Sequence, residues 1–203
     1  MRTNKRTFPA AEIVIENRTR ALDLAQAFGR VAPLEVDLGC GDGNFLAALA
    51  REQPERNFLG VERMPGRVRA TCRKIGDGQL PNARVLQAEI LETLCTFLAP
   101  ESAEVCHLLF SDPWPKRRHN ERRVFSAEFL RAVARVLIPG GLLRVATDHA
   151  EYFAQMENIW PGVAEFEVCP PGEVDSGFST TFENRLRASG ARIHRVVLRK
   201  RGN

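Results

Sequence analysis

At 203 residues, with 44% hydrophobic and 27% charged side chains and a formal net charge of +4, the chain has the make-up of a single folded domain. These proportions exclude a disordered tail, a collagen-like fibre or a coiled coil as the main architecture, and no apolar run approaches the ~18 residues that span a bilayer. The basic start MRTNKRTFPA lacks the apolar stretch of a signal peptide, and the 5 cysteines and 4 histidines show neither a C-x-x-C pair nor metal-ligand spacing, so a cytoplasmic protein without disulfides, metal or membrane contact is expected.

Residues 1–30 read as an N-terminal extension with a helical patch over 21–28, and 31–203 as one domain. Short apolar runs at 34–38, 58–61, 84–87, 105–110, 142–146 and 193–198 read as strands. Between them lie segments of helical period, such as Phe125, Phe129, Val133 and Leu137, each four apart. Such alternation predicts an α/β fold, with a mostly parallel sheet and helices on both faces. Leu137-Ile138-Pro139-Gly140-Gly141-Leu142 reads as a helix stop followed by a strand.

Ligands of open α/β sheets bind outside the carboxyl ends of the strands. Five successive expected strands deliver an acid there: Asp37, Glu62, Glu89, Asp112 and Asp148. One acid at a strand end is what turns favour, but five in a row call for another reason. The first strand runs into Gly39-Cys40-Gly41-Asp42-Gly43, a loop able to turn tightly and approach a ligand. A dinucleotide is one candidate, with Glu62 about 20 residues on as the ribose acid. The spacing is G-x-G-x-G, however, and Asp37 and Asp42 would repel a pyrophosphate. A cationic nucleoside such as S-adenosylmethionine fits better, with its ribose diol at Glu62 and its adenine near Glu89.

Ser111-Asp112-Pro113-Trp114-Pro115-Lys116 follows an apolar strand, and its two prolines stiffen it. Trp114 either stacks on a base or packs under its own loop. The run KRRHNERR, 116–123, then brings five basic residues and one acid, and seven more basic residues follow Asn184 without an acid. Clustered cations beside an acid and an aromatic make a nucleic-acid acceptor site.

The stretch SDPWPKRRHNERR resembles the signature loop of the bacterial tRNA (guanine-N7)-methyltransferases. DLGCGDGNF, FLGVE, ATD and the later Thr180-Thr181-Phe182-Glu183 match in the same order, over about 34–187. The resemblance implies a Rossmann-like class I methyltransferase fold with a seven-stranded sheet, S-adenosylmethionine as cofactor and tRNA as partner. It implies cofactor contacts at Asp37, Gly39, Gly41, Glu62, Glu89 and Asp112, with Asp112 also the catalytic residue. Substrate contacts are implied at Lys116, Arg118, His119, Asn120, Arg122, Arg123, Asp148, Thr180 and Glu183. For Thr180 the other reading is a helix cap, and for Glu183 an ion pair with Arg185 and Arg187. Asp37 stands where the pattern has Glu, Glu89 where it has Asp, and Glu121 interrupts the basic run. Transfer to another RNA base, or a methyltransferase fold reused to bind RNA, remains a competing expectation. So does the choice between monomer and homodimer, and whether 1–30 contacts the tRNA.

Overall fold

The computed structural model describes residues 11–114, 123–170 and 181–202. Eight strands form one mixed sheet: β1 (Glu12–Ile13), β2 (Leu34–Leu38), β3 (Asn57–Glu62), β4 (Ala83–Gln87), β5 (Ala103–Leu109), β6 (Leu137–Thr147), β7 (Phe166–Val168) and β8 (His194–Lys200). Their order across the sheet is β1-β4-β3-β2-β5-β6-β8-β7. The pairings from β1 to β6 are parallel, and β8 runs antiparallel between β6 and β7. The eighth strand is β1, a two-residue edge drawn from the N-terminal extension, too short for any alternation to reveal it.

Several helices start where a side chain or a proline serves the first turn. α1 (Leu24–Phe28) begins where Asp23 accepts from the Gln26 amide at 2.9 Å and ends on left-handed Gly29. α3 (Pro65–Asp77) has its proline in the first turn, where the missing N–H is no loss. α5 (Ala127–Val136) is capped by the Ser126 hydroxyl, which accepts from the Phe129 amide at 3.1 Å. α2 (Asn44–Glu52), α4 (Ile90–Glu92, continued by a wider turn to Phe97), α6 (Ala150–Ile159) and α7 (Thr181–Ala188) complete the set.

The two faces of β2 differ in kind. Leu34, Val36 and Leu38 join Phe129, Val133, Tyr152 and Met156 in the main core with α5 and α6. The other face carries Glu35 and Asp37 towards α2 and α3, whose Phe45, Leu46 and Ile75 pack on Phe58. Glu35 is buried but paired: His107 Nε2 lies 2.8 Å away and the Arg56 guanidinium 2.9 Å away. Burial works against its charge, yet the His107 hydrogen bond and neighbouring cations hold its carboxyl below the ordinary value.

α5 stops at Val136, as the expected helix stop requires, but the Pro-Gly-Gly segment lies within the following strand instead of before it. β6 starts immediately at Leu137, which pairs with Ala103, and the register then jumps to Val105 with Leu142. Pro139-Gly140-Gly141 is thus a bulge within a strand, where a proline without a ladder hydrogen bond is tolerated. A side chain at Gly141 would meet the carbonyl oxygens of Ile138 and Glu104 at 2.9 and 3.0 Å.

Candidate active site

The strand order runs outward both ways from β2, so the loops after β2 and β5 diverge and leave a crevice at their carboxyl ends. A cleft of about 840 Å³ opens there. Glu62, Glu89 and Asp112 line it, with Gly39, Met64, Ile90 and Trp114.

The glycine loop takes its shape from backbone that side chains disfavour: φ is +87° at Gly39, +58° at Gly41 and +75° at Gly43. Gly43 is further constrained, because a Cβ there would lie 2.6 Å from Thr71 Cγ2. α3 braces the loop from behind. The Thr71 hydroxyl donates to the Gly41 carbonyl at 3.2 Å, and Lys74 Nζ donates to the Asp42 carbonyl at 2.7 Å. Glu62 closes it from the front, accepting from the amides of Gly41 at 3.2 Å and Met64 at 2.8 Å.

Asp37 sits beneath this loop, 4% exposed. Burial, and then the nearby Glu62 charge, push its carboxyl from 3.8 up to about 7. It has no hydrogen-bond or ion-pair partner among the described residues. A buried carboxyl without a partner beside a second carboxylate suits a cation and disfavours a phosphate. The donor set therefore fits the ammonium and sulfonium of S-adenosylmethionine. Glu62 retains lone pairs for hydroxyls, and Glu89 is exposed with Arg63 at 3.7 Å. Cys40, within the loop, is held as a thiol by burial and plays no part as a nucleophile.

Asp112 is exposed on the far wall of the cleft, in a strained segment: φ is +54° at Phe110 and +42° at Trp114. Non-glycine residues hold such angles only where their surroundings impose them. Here the Phe110 amide donates to Ala146 O at 2.7 Å. Tyr152, fully buried in α6, shares a hydrogen bond with Ser111 and accepts from the Phe125 amide at 3.2 Å.

Arg123, expected as a tRNA contact, lines the cleft but is only 6% exposed, and it completes that support. Its Nε donates to Pro113 O at 2.6 Å, its Nη2 to Trp114 O at 3.4 Å and its Nη1 to Gln155, while the guanidinium lies 5.0 Å over the Tyr152 ring. Five donors on a planar fork can satisfy loop carbonyls that the prolines leave without neighbours. Neither Tyr152 nor Gln155 carried a sequence signal, since their role depends on α6 packing under the loop.

Asp148 is exposed at the end of β6, next to β5 in the sheet but outside the cleft lining. Glu183 is buried in α7 with its carboxylate between Arg187, at 2.7 Å, and Arg195. Burial opposes its ionisation, but the hydrogen bonds from these two arginines leave it below the ordinary carboxylate value. The pair with Arg187 is the alternative to a substrate contact, found here on a buried carboxylate, and the pair with Arg195 ties α7 to β8. Lys116, Arg118, His119, Asn120, Arg122 and Thr180 lie outside the described residues. Among those described, no cluster of three or more His, Cys, Asp or Glu could hold a metal, and no helix is long and apolar enough to cross a membrane.

Comparison with known proteins agrees with this geometry. The chain matches the family model described as "Putative methyltransferase" over residues 31–196. It is 34% identical to a tRNA (guanine-N(7)-)-methyltransferase of Chromobacterium violaceum over 92% of this chain and 84% of the relative. A protein of the same name from Alkalilimnicola ehrlichii is 37% identical over 89% of this chain and 78% of its own. Among solved structures, the antibiotic-resistance methyltransferase Kmr superposes with a TM-score of 0.62 at 21% identity, covering 94% of this chain and 95% of that one, a likeness of fold. The acid-lined cleft, the glycine loop and the Asp-Pro-Trp segment thus stand in a sequence that belongs to the tRNA (guanine-N(7)-)-methyltransferase family.

Proposed function

We propose that the chain methylates N7 of a guanine in tRNA, the variable-loop guanine at position 46, with S-adenosylmethionine as donor. The observation that carries this reading is the cleft itself. Glu62, which closes the glycine loop, stands on one side with unpartnered Asp37 buried beneath that loop behind the lining, and Asp112, held on a strained and clamped segment, on the other.

When bound, S-adenosylmethionine supplies a methyl group activated by its sulfonium. Guanine N7 carries no proton and its lone pair points outward, so no residue has to act as a base. The protein's work is orientation: Asp112 accepts from the guanine N1–H and amino edge and holds N7 within ~3 Å of the methyl carbon. The same carboxylate faces the positive charge that develops on the purine. Asp37 and Glu62 would hold the ammonium and ribose ends and Glu89 the adenine end, with the backbone of Gly39 and Gly41 permitting close approach. Lys116, Arg118, His119, Asn120 and Arg122 are assigned to the tRNA, chiefly its phosphates. Asp148 and Thr180 are assigned to the guanine and its ribose.

The test incubates the protein with unmodified tRNA and methyl-labelled S-adenosylmethionine, digests the RNA and identifies the labelled nucleoside. Label in 7-methylguanosine is expected; label in another nucleoside overturns the acceptor. Asp112→Ala is expected to lower kcat/KM by about 100-fold or more with an unchanged melting temperature. Full activity in that variant removes Asp112 from its role.

A further inference from the structure

Charge is divided unevenly between two helices on opposite faces of the sheet, α6 and α3. α6, on one face of the sheet, carries Glu151 and Glu157 and no base. α3, on the other, carries Arg67, Arg69, Arg73 and Lys74, with Arg63 just before it, and no acid until Asp77. Ordinary solvated helices mix signs, because opposite charges four residues apart stabilise and like charges repel. Arg69 and Arg73 are such a like-charged pair. Cations near a helix start also oppose the macrodipole, and the first turn of α3 has no acid to compensate. Neither the helix nor its packing accounts for this series.

Position supplies a reason. Arg63, Met64 and Arg67 line the cleft at the end of β3, on the opposite side of β2 from Asp112 and Trp114. The two walls rise from strands roughly 10 Å apart. Arg63 and Arg67 are 57% and 59% exposed, and their nearest carboxylates, Glu89 and Glu62, are at 3.7 and 3.9 Å, weak partners for surface groups. Arg69 and Arg73 are exposed and have no ion-pair partner among the described residues. Met64, 48% exposed between Arg63 and Arg67, offers a polarizable apolar surface at the mouth.

We infer that the exposed side of α3 bearing Arg69 and Arg73, with Arg63 and Arg67 at its cleft end on another flank of the helix, is a second RNA-binding surface that takes backbone phosphates beyond the wall opposite the Asp-Pro-Trp segment. It rests on the proposed function and extends it. A polynucleotide whose base enters the cleft must pass over both lips, and α3 carries its phosphates from the second lip about 12 Å along the helix, from Pro65 to Arg73 at 1.5 Å per residue. An acidic protein would meet the same charges, but the cleft between the walls admits a base rather than a folded surface.

The test compares binding of an unmodified tRNA transcript, by fluorescence anisotropy across a salt series, to the wild type and to Arg69→Gln/Arg73→Gln. The pair is expected to weaken binding about tenfold and reduce the salt slope by roughly 1.5, near 0.7–0.9 per phosphate. Arg69→Lys/Arg73→Lys is expected to recover most of the slope. The charge-matched pair Arg51→Gln/Arg131→Gln, exposed on α2 and α5, is expected to stay within twofold of wild type. An unchanged slope in the Gln pair, or an equal loss in the charge-matched pair, overturns the second surface. Binding is read without methyl transfer, so a wild type that labels another nucleoside overturns the N7 reading alone. A wild type that binds no tRNA overturns both.

Discussion

Two side chains, Asp37 and Arg123, show how burial decides a role that residue type leaves open. Asp37, raised to about 7, keeps its proton in part of the free protein at neutral pH, and a bound cation favours its ionised form. The sign follows: binding of S-adenosylmethionine expels a proton below about pH 7, so affinity falls as pH drops from 8 to 6. Calorimetry in buffers of different ionisation enthalpy is expected to detect that proton, and Asp37→Asn to abolish both the proton and the pH dependence. Arg123, inside the fold, holds three neighbours of the Asp112 segment at once. Arg123→Gln is therefore expected to lower kcat about tenfold or more and leave the salt slope of tRNA binding unchanged. A phosphate contact would instead lose about one unit of slope with kcat preserved at saturating tRNA.

Among the elements, the loop between β2 and α2 is the most tightly specified. It is held by α3 on one side and Glu62 on the other, and Gly43 leaves no room for a Cβ against Thr71. Gly43→Ala combines a left-handed backbone angle with a steric overlap and is expected to cost about 2–3 kcal/mol in urea unfolding. It is also expected to weaken cofactor binding, since any relief moves the loop into the cleft. Thr71→Ala in the same background is expected to recover part of the loss, a coupling that a double-mutant cycle measures.

For the whole molecule, the sheet order and the partition of charge are what matter. Placing β2 between β3 and β5 gathers three acids around one crevice, while basic side chains extend outward from its lips. A site so arranged discriminates between cationic and anionic nucleotides. S-adenosylmethionine at about 100 times its Kd contributes ~2.7 kcal/mol to the folded state, and for a chain of this size is expected to raise Tm by about 5–10 °C. NAD at the same concentration is expected to give no shift. A shift with NAD instead would restore the dinucleotide reading of the glycine loop.

Much of this was written in local pattern. Alternating strands and helices, acids repeated at strand ends and the Gly-x-Gly-x-Gly turn are legible because they depend on neighbours within a few residues. Three-dimensional context had to settle the rest. β1 is too short to show a period, and Pro139-Gly140-Gly141 became a bulge because β6 had a partner at Ala103 to pair with. Arg123 reads in sequence like the rest of its basic run until α6 places Tyr152 and Gln155 beneath it. Asp37 differs from the exposed strand-end acids by its burial, and from buried Glu62 by having no hydrogen-bond partner among the described residues. The sequence by itself determined the fold class, the family and the acids of the site, because these rest on residue type and spacing. Only the tertiary structure decided which of those charges face the cleft, which are neutralised within and which brace it, because burial and partnership are properties of neighbours far apart in the chain.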